Sequence, residues 1–121
     1  PGGRFEQGAS GITLYDGTFY ANKTNTILVT INYRFGVLGF MYSQQLGGNF
    51  GLKDQILALQ WVRDNIAYFG GDPKQVTLFG ESAGGTSTAT LLTVPQAQGL
   101  FHRAIIESNP FALPLKDLYV R

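Results

Sequence analysis

The sequence predicts an α/β fold built on a mainly parallel sheet flanked by helices. Three observations predict it. Short β-branched runs alternate with segments of helical period, glycine clusters stand at the junctions between them, and neither a repeat nor a Pro/Gly/Ser-rich linker divides the chain.

Residues 26–32 (Thr-Ile-Leu-Val-Thr-Ile-Asn) are nearly continuously apolar and rich in branched side chains. Such a run suits a strand buried on both faces of a parallel sheet, so it is read as a central strand. Over 52–69, Leu52, Ile56, Leu59, Val62, Ile66 and Phe69 recur every three or four positions between polar residues, which predicts an amphipathic helix packed on the sheet. Trp61 is placed with the apolar arc, as a core residue. Gly70-Gly71-Asp72-Pro73 ends the helix, because glycine accepts the left-handed backbone past a helix end and proline cannot continue the helix. A second strand follows at 76–79, a helix at 83–92 despite its threonines, and a third strand at 104–107. Strand, helix, strand, helix, strand implies parallel pairing with crossover helices.

Composition bounds the function. The 121 residues are 44% hydrophobic and 13% aromatic, enough for a packed core. The net charge of +1 is spread over nine basic and eight acidic residues, which leaves no basic footprint for nucleic acid or anionic lipid and points to small or neutral partners. Without cysteine, disulfides and cysteine-based metal sites are excluded within this stretch. No apolar run is long enough to cross a bilayer. The chain opens at Pro1-Gly2-Gly3 without methionine and trails off from Pro110, so it reads as one domain, 1–121, truncated at both ends.

The chemistry lies in Gly80-Glu81-Ser82-Ala83-Gly84, a G-x-S-x-G between a predicted strand and a predicted helix. In a nucleophile elbow the serine occupies a strained turn, and the glycines Gly80 and Gly84 leave room for the neighbouring strand and helix. Ser82 then sits at a helix start, whose partial positive charge favours an oxyanion. A glycine-serine-glycine turn is also an ordinary way to join strand to helix; its position favours the catalytic reading. A second glycine-rich loop, Pro1-Gly2-Gly3-Arg4-Phe5, has the make-up of an oxyanion loop, although glycine pairs mark plain turns as well.

Four segments carry a wider likeness: Asn32-Tyr33-Arg34-Phe35-Gly36, Gly48 to Gln55, Ala58 to Ile66, and Phe69-Gly70-Gly71-Asp72-Pro73 running into the elbow. On them the chain resembles the type-B carboxylesterases, the family that includes the cholinesterases, and thus the central piece of an α/β-hydrolase fold. The resemblance implies a carboxylic-ester hydrolase with a covalent acyl-enzyme on Ser82 and no metal or cofactor. It implies an oxyanion hole from the N–H groups of Gly3, Arg4 and Ala83, with Arg4 standing where the family has glycine. Glu81 matches the family's buried acid beside the nucleophile, a supporting position. The family's histidine and acid lie far C-terminal to the serine, outside these residues.

The remaining polar candidates are weaker. His102, the single histidine, stands ahead of a strand, and neither Glu107 nor Asp117 matches a triad position. Tyr15 matches a position near the cation-binding region of cholinesterases. Asn22-Lys23-Thr24 is a glycosylation sequon in a polar loop and accords with a secretory route. The rival reading is a non-catalytic relative used in adhesion or storage; a serine kept between both elbow glycines favours the enzyme.

Overall fold

The structure is a computed structural model that describes residues 1–110; Asp117 and the rest of 111–121 lie outside the described residues. A glycine-rich loop leads into two short helices, α1 (Thr18–Thr24) and α2 (Gly36–Phe40). The sequon residue Asn22 is therefore exposed on a helix and not in a loop. The long helical period becomes α3 (Phe50–Asn65), continued by one 3-10 turn, Ile66–Phe69. Gly70 closes it at φ 83°, and the Gly70 and Gly71 N–H groups donate to the carbonyls of Ala67 and Ile66.

Strand β1 (Thr77–Glu81), helix α4 (Ala83–Leu91), a 3-10 turn at Pro95–Ala97 and strand β2 (Arg103–Glu107) follow. The two strands pair in parallel, Thr77 opposite Arg103 and Glu81 opposite Glu107. The predicted strand–helix–strand unit is thus present, each element shifted by at most a residue or two. The threonines of α4 do not break it, because Thr88 and Thr90 turn their hydroxyls back to the carbonyls of Gly84 and Thr86 four residues earlier.

The apolar core forms between α3, the last residue of α4 and the turn that follows it. Leu59, Leu91, Ala97 and Leu100 are buried together, and Leu52, Ile56, Leu78, Val94 and Phe101 pack around them. Burying each large side chain of this cluster contributes about 1.5–3 kcal/mol, which fixes α3 against the elbow helix.

Two expectations fail here. Residues 26–32 form no strand: among the described residues nothing pairs with them, and Ile27 and Val29 are exposed. Branched apolar residues supply the propensity, but a strand also needs a neighbour to accept its ladder. The segment is held instead by side chains, with Ser10 N–H donating to Asn32 Oδ1 at 2.8 Å and Leu28 lying over Gly17. Trp61 is not core either; it is 47% exposed and meets Phe69 at 5.8 Å between ring centroids. The buried stripe of α3 runs through Gly51, Gln55, Leu59 and Val62, and two residues past Leu59 is about 200° round the helix.

Candidate active site

Ser82 stands alone between the last residue of β1 and the first of α4, at φ 55° and ψ −118°. That backbone lies in the mirror-β region, which glycine visits readily and other residues only under strain. Both backbone groups of Ser82 are pinned: its N–H donates to the Glu107 carbonyl at 3.0 Å and its carbonyl accepts from Thr86 N–H at 2.9 Å. The neighbouring glycines permit the turn. A Cβ on Gly80 would stand 2.4 Å from the carbonyl carbon and oxygen of Gly84, so any side chain there would force α4 off β1.

The first loop folds onto this turn. A Cβ on Gly2 would meet Glu81 Oε2 at 2.9 Å and Ser82 Cβ at 3.5 Å, and the Pro1 carbonyl lies over Gly84. Gly2 N–H points to the Tyr15 hydroxyl at 3.4 Å. Gly3, Arg4 and Phe5 all have left-handed backbone, φ 100°, 58° and 64°, and the Gly3 carbonyl accepts from the N–H groups of Glu6 and Gln7. Among the described residues, the N–H groups of Gly3, Arg4 and Ala83 have no protein acceptor. Ala83 is buried, with its N–H in the first turn of α4, where helix geometry leaves the donor unpaired. The Arg4 side chain is exposed.

Ser82 is half-buried, and its hydroxyl has no hydrogen-bond partner among the described residues. Among the described residues the turn thus carries a hydroxyl with no partner, next to the unpaired N–H of Ala83, and the one histidine lies elsewhere. His102 is far away: its N–H donates to the Val76 carbonyl, at the start of the ladder whose other end carries Ser82. Glu81 ends β1 on the outward-facing parity of the strand, its side chain exposed among the described residues and its carboxylate beside Gly2. A depression of about 400 Å³ lies on the loop side, lined by residues including Ser10, Ile12, Tyr15 and Asp16, and Ser82 is not in its wall.

A polar contact beneath the elbow was missed by the sequence reading. Gln55, buried on α3, donates from Nε2 to Ser87 Oγ on α4 at 3.0 Å. The Tyr33 phenol is buried next to Ser87, and burial raises its pKa, partly offset by the Ser87 hydroxyl. The available signal was phase: Gln55 falls four residues before Leu59, on the stripe that should be apolar.

A serine at a strained strand-to-helix turn, with a glycine loop folded over it, defines an α/β-hydrolase chain. It belongs to the carboxylesterase family, whose sequence model matches residues 1–116. It is 52% identical over 112 residues to the para-nitrobenzyl esterase of Bacillus subtilis, covering 89% of this chain and 23% of that protein. It is 53% identical over 104 residues to the human cocaine esterase, covering 84% and 19%. With the "Crystal protein" of Dictyostelium discoideum it shares 52% over 117 residues, 97% of this chain and 21% of the other. The solved structure of a thermophilic PNB esterase superposes with a TM-score of 0.86 at 53% identity, over 89% of this chain and 23% of that one. The chain thus spans about a fifth to a quarter of the length of these relatives.

Proposed function

We propose that the protein carrying this chain is a serine hydrolase of carboxylic esters that forms an acyl-enzyme on Ser82. The observation that carries the reading is the backbone of Ser82, φ 55° and ψ −118°, held at the head of α4 with Gly2 against it. Strain of this kind costs about 1–3 kcal/mol and persists where the surrounding structure over-determines it. It lifts one hydroxyl out of the sheet, which a plain connecting turn has no need to do.

In the proposed mechanism Ser82 Oγ attacks the ester carbonyl as a histidine takes its proton. The developing oxyanion accepts from the N–H groups of Ala83, Gly3 and Arg4. The alcohol leaves with the proton returned by the histidine, and water then attacks the acyl-enzyme to release the acid. Esters as the substrate class accord with the names of the esterase relatives. The histidine and its carboxylate partner are assigned to sequence beyond these 121 residues, in keeping with the greater length of those relatives. Glu81, exposed beside Gly2, is assigned a supporting role at the acyl site.

The test is labelling of the full-length protein with a fluorophosphonate, followed by peptide mapping. The adduct is expected on Ser82, and Ser82→Ala is expected to lose both the label and turnover of a nitrophenyl ester by several orders of magnitude. Label on another residue, or turnover that survives Ser82→Ala, would remove the reading.

A further inference from the structure

We propose that Gln55 is a positioning residue for the nucleophile, fixing the orientation of the elbow helix through Ser87. The inference rests on the hydrolase reading above and concerns how Ser82 is held.

The need for such a residue follows from the make-up of α4. Its buried face is Ala83, Gly84, Gly85, Ser87, Thr88, Ala89 and Leu91, small side chains except for the last. Small residues let the helix approach β1 and β2 closely, as the contacts of Gly84 with Gly80 and of Gly85 with the Glu107 carbonyl show. They also leave little relief to stop the helix from rolling or sliding. The apolar anchor, Leu91, lies at the far end from Ser82.

Most hydroxyls of α4 do not supply the missing anchor. Those of Thr88 and Thr90 bond to their own helix, and that of Thr86 reaches Asn109 beyond β2. Among the described residues, Ser87 alone on α4 makes a side-chain hydrogen bond to another helix, and its partner is Gln55.

Gln55 is 4% exposed, yet it occupies the apolar stripe of α3 between Gly51 and Leu59. Burying an amide there is unfavourable unless its hydrogen bonds are made. The bond to Ser87 offsets only part of that cost, because Gln55 Oε1 has no partner among the described residues. An apolar side chain would be the more stable choice at a site serving packing alone. A directional contact, by contrast, defines which way the Ser87 face of α4 turns, and Ser82 lies little more than one turn away on the same helix. Displacements of about 1 Å at a reacting group are enough to cost one to two orders of magnitude in rate.

The experiment uses the full-length protein with Gln55→Met, which keeps the volume and removes the donor, together with Ser87→Ala and the double variant. Fluorophosphonate labelling of Ser82 and nitrophenyl ester kinetics are measured at a temperature where circular dichroism shows each variant folded. Each single change is expected to lower kcat and the labelling rate together by about tenfold with KM changed less than about twofold, and the double variant to be no worse than the worse single. Gln55→Glu adds a pH signature. Its carboxyl donates to Ser87 as Gln55 does only when protonated; ionised, it can only accept from the Ser87 hydroxyl, which reverses the bond and buries a charge in the apolar stripe, so its rate relative to wild type should be near one at acidic pH and fall as pH rises.

A folded Gln55→Met or Ser87→Ala that labels at the wild-type rate, or single losses that multiply in the double variant, would overturn the proposal. If Gln55→Met does not fold, a rate ratio for Gln55→Glu that stays flat with pH does the same. Wild-type protein that takes no label at Ser82 removes the hydrolase reading and this inference with it. A labelled wild type with an equally reactive Gln55→Met removes this inference alone.

Discussion

Gly80 and Gly84 meet backbone to backbone, so that a Cβ on Gly80 would stand 2.4 Å from the Gly84 carbonyl. Gly80→Ala is therefore expected to destabilise the fold by about 3 kcal/mol and to abolish labelling at Ser82, because β1 and α4 must separate. Gly70→Ala is the control. Its φ of 83° makes alanine strained, but among the described residues nothing lies within 4 Å of the added Cβ, so about 1–2 kcal/mol should be lost with labelling intact. Urea unfolding alongside the label decides it, and equal behaviour of the two variants contradicts the close-approach account.

The strain at Ser82 can be measured by removing the hydroxyl in two ways. Ser82→Ala keeps the unfavourable backbone at φ 55°, ψ −118°, whereas Ser82→Gly relieves about 1–3 kcal/mol of it against about 1 kcal/mol of added chain entropy on unfolding. Ser82→Gly is thus expected to melt a few degrees above Ser82→Ala, with both inactive. Ser82→Gly melting a few degrees below Ser82→Ala, the shift that glycine's chain entropy gives by itself, would mean that the turn stores no strain.

Arg4 has left-handed backbone at φ 58° and an exposed side chain. If its N–H serves the oxyanion, Arg4→Gly should keep most of the activity. Arg4→Pro removes that donor and demands φ near −65°, and should lower turnover on the order of a hundredfold or more. Steady-state kinetics on folded variants check this, and a collapse of Arg4→Gly would shift the role to the guanidinium.

The parts legible in sequence are those that a few consecutive residues determine. The elbow is one, since Gly80, Ser82 and Gly84 define a backbone turn by themselves, and the stop at Gly70 is another. What depends on distant partners was not legible. Residues 26–32 have strand propensity, but no described neighbour accepts their ladder. Glu81 follows the outward parity of β1, which becomes exposure when nothing described covers that face. Gln55 was passed over because a polar residue on a helix is ordinarily solvated; only its phase with Leu59 and Val62 marked it as buried.

Arg34 clamps Asp54 with two side-chain donors, Nε to Oδ2 at 2.8 Å and Nη2 to Oδ1 at 2.6 Å, and its backbone N–H adds a third at 2.9 Å. These bonds hold the Asp54 carboxyl below its usual value of 3.8, the side-chain bond from Arg34 being the main cause. The Arg34 side chain is 53% exposed, so solvent screens the pair and Asp54→Asn should cost only about 1 kcal/mol at pH 7. A depressed carboxylate stabilises above its unfolded pKa, and that contribution is lost as pH falls through the folded value. The gap between wild type and Asp54→Asn should accordingly shrink below about pH 4. Urea unfolding at pH 7 and pH 3 tests this, and an unchanged gap would rule out the charge as its source.

His102 and Ser82 are tied to opposite ends of one parallel ladder. His102 N–H donates to the Val76 carbonyl just before Thr77 pairs with Arg103, and Ser82 N–H donates to the Glu107 carbonyl just after Glu81 pairs with Glu107. Five residues of strand lie between the two ends, so six steps at a rise near 3.3 Å per residue put them about 20 Å apart. A general base must come within about 3 Å of the hydroxyl it deprotonates, or reach it through one water. No rotation of the His102 ring spans that gap while the ladder is intact. An unassisted serine hydroxyl is a weak nucleophile at neutral pH, so the 121-residue chain by itself should show no turnover of a nitrophenyl ester that depends on Ser82. In the full-length protein, His102→Gln should leave kcat and labelling within about twofold of wild type, since the bond that anchors this position is made by the backbone. Both experiments run beside Ser82→Ala. Ser82-dependent multiple turnover from the short chain, or a loss beyond tenfold in a folded His102→Gln, would make His102 the base and overturn the assignment of the triad histidine to sequence beyond these residues.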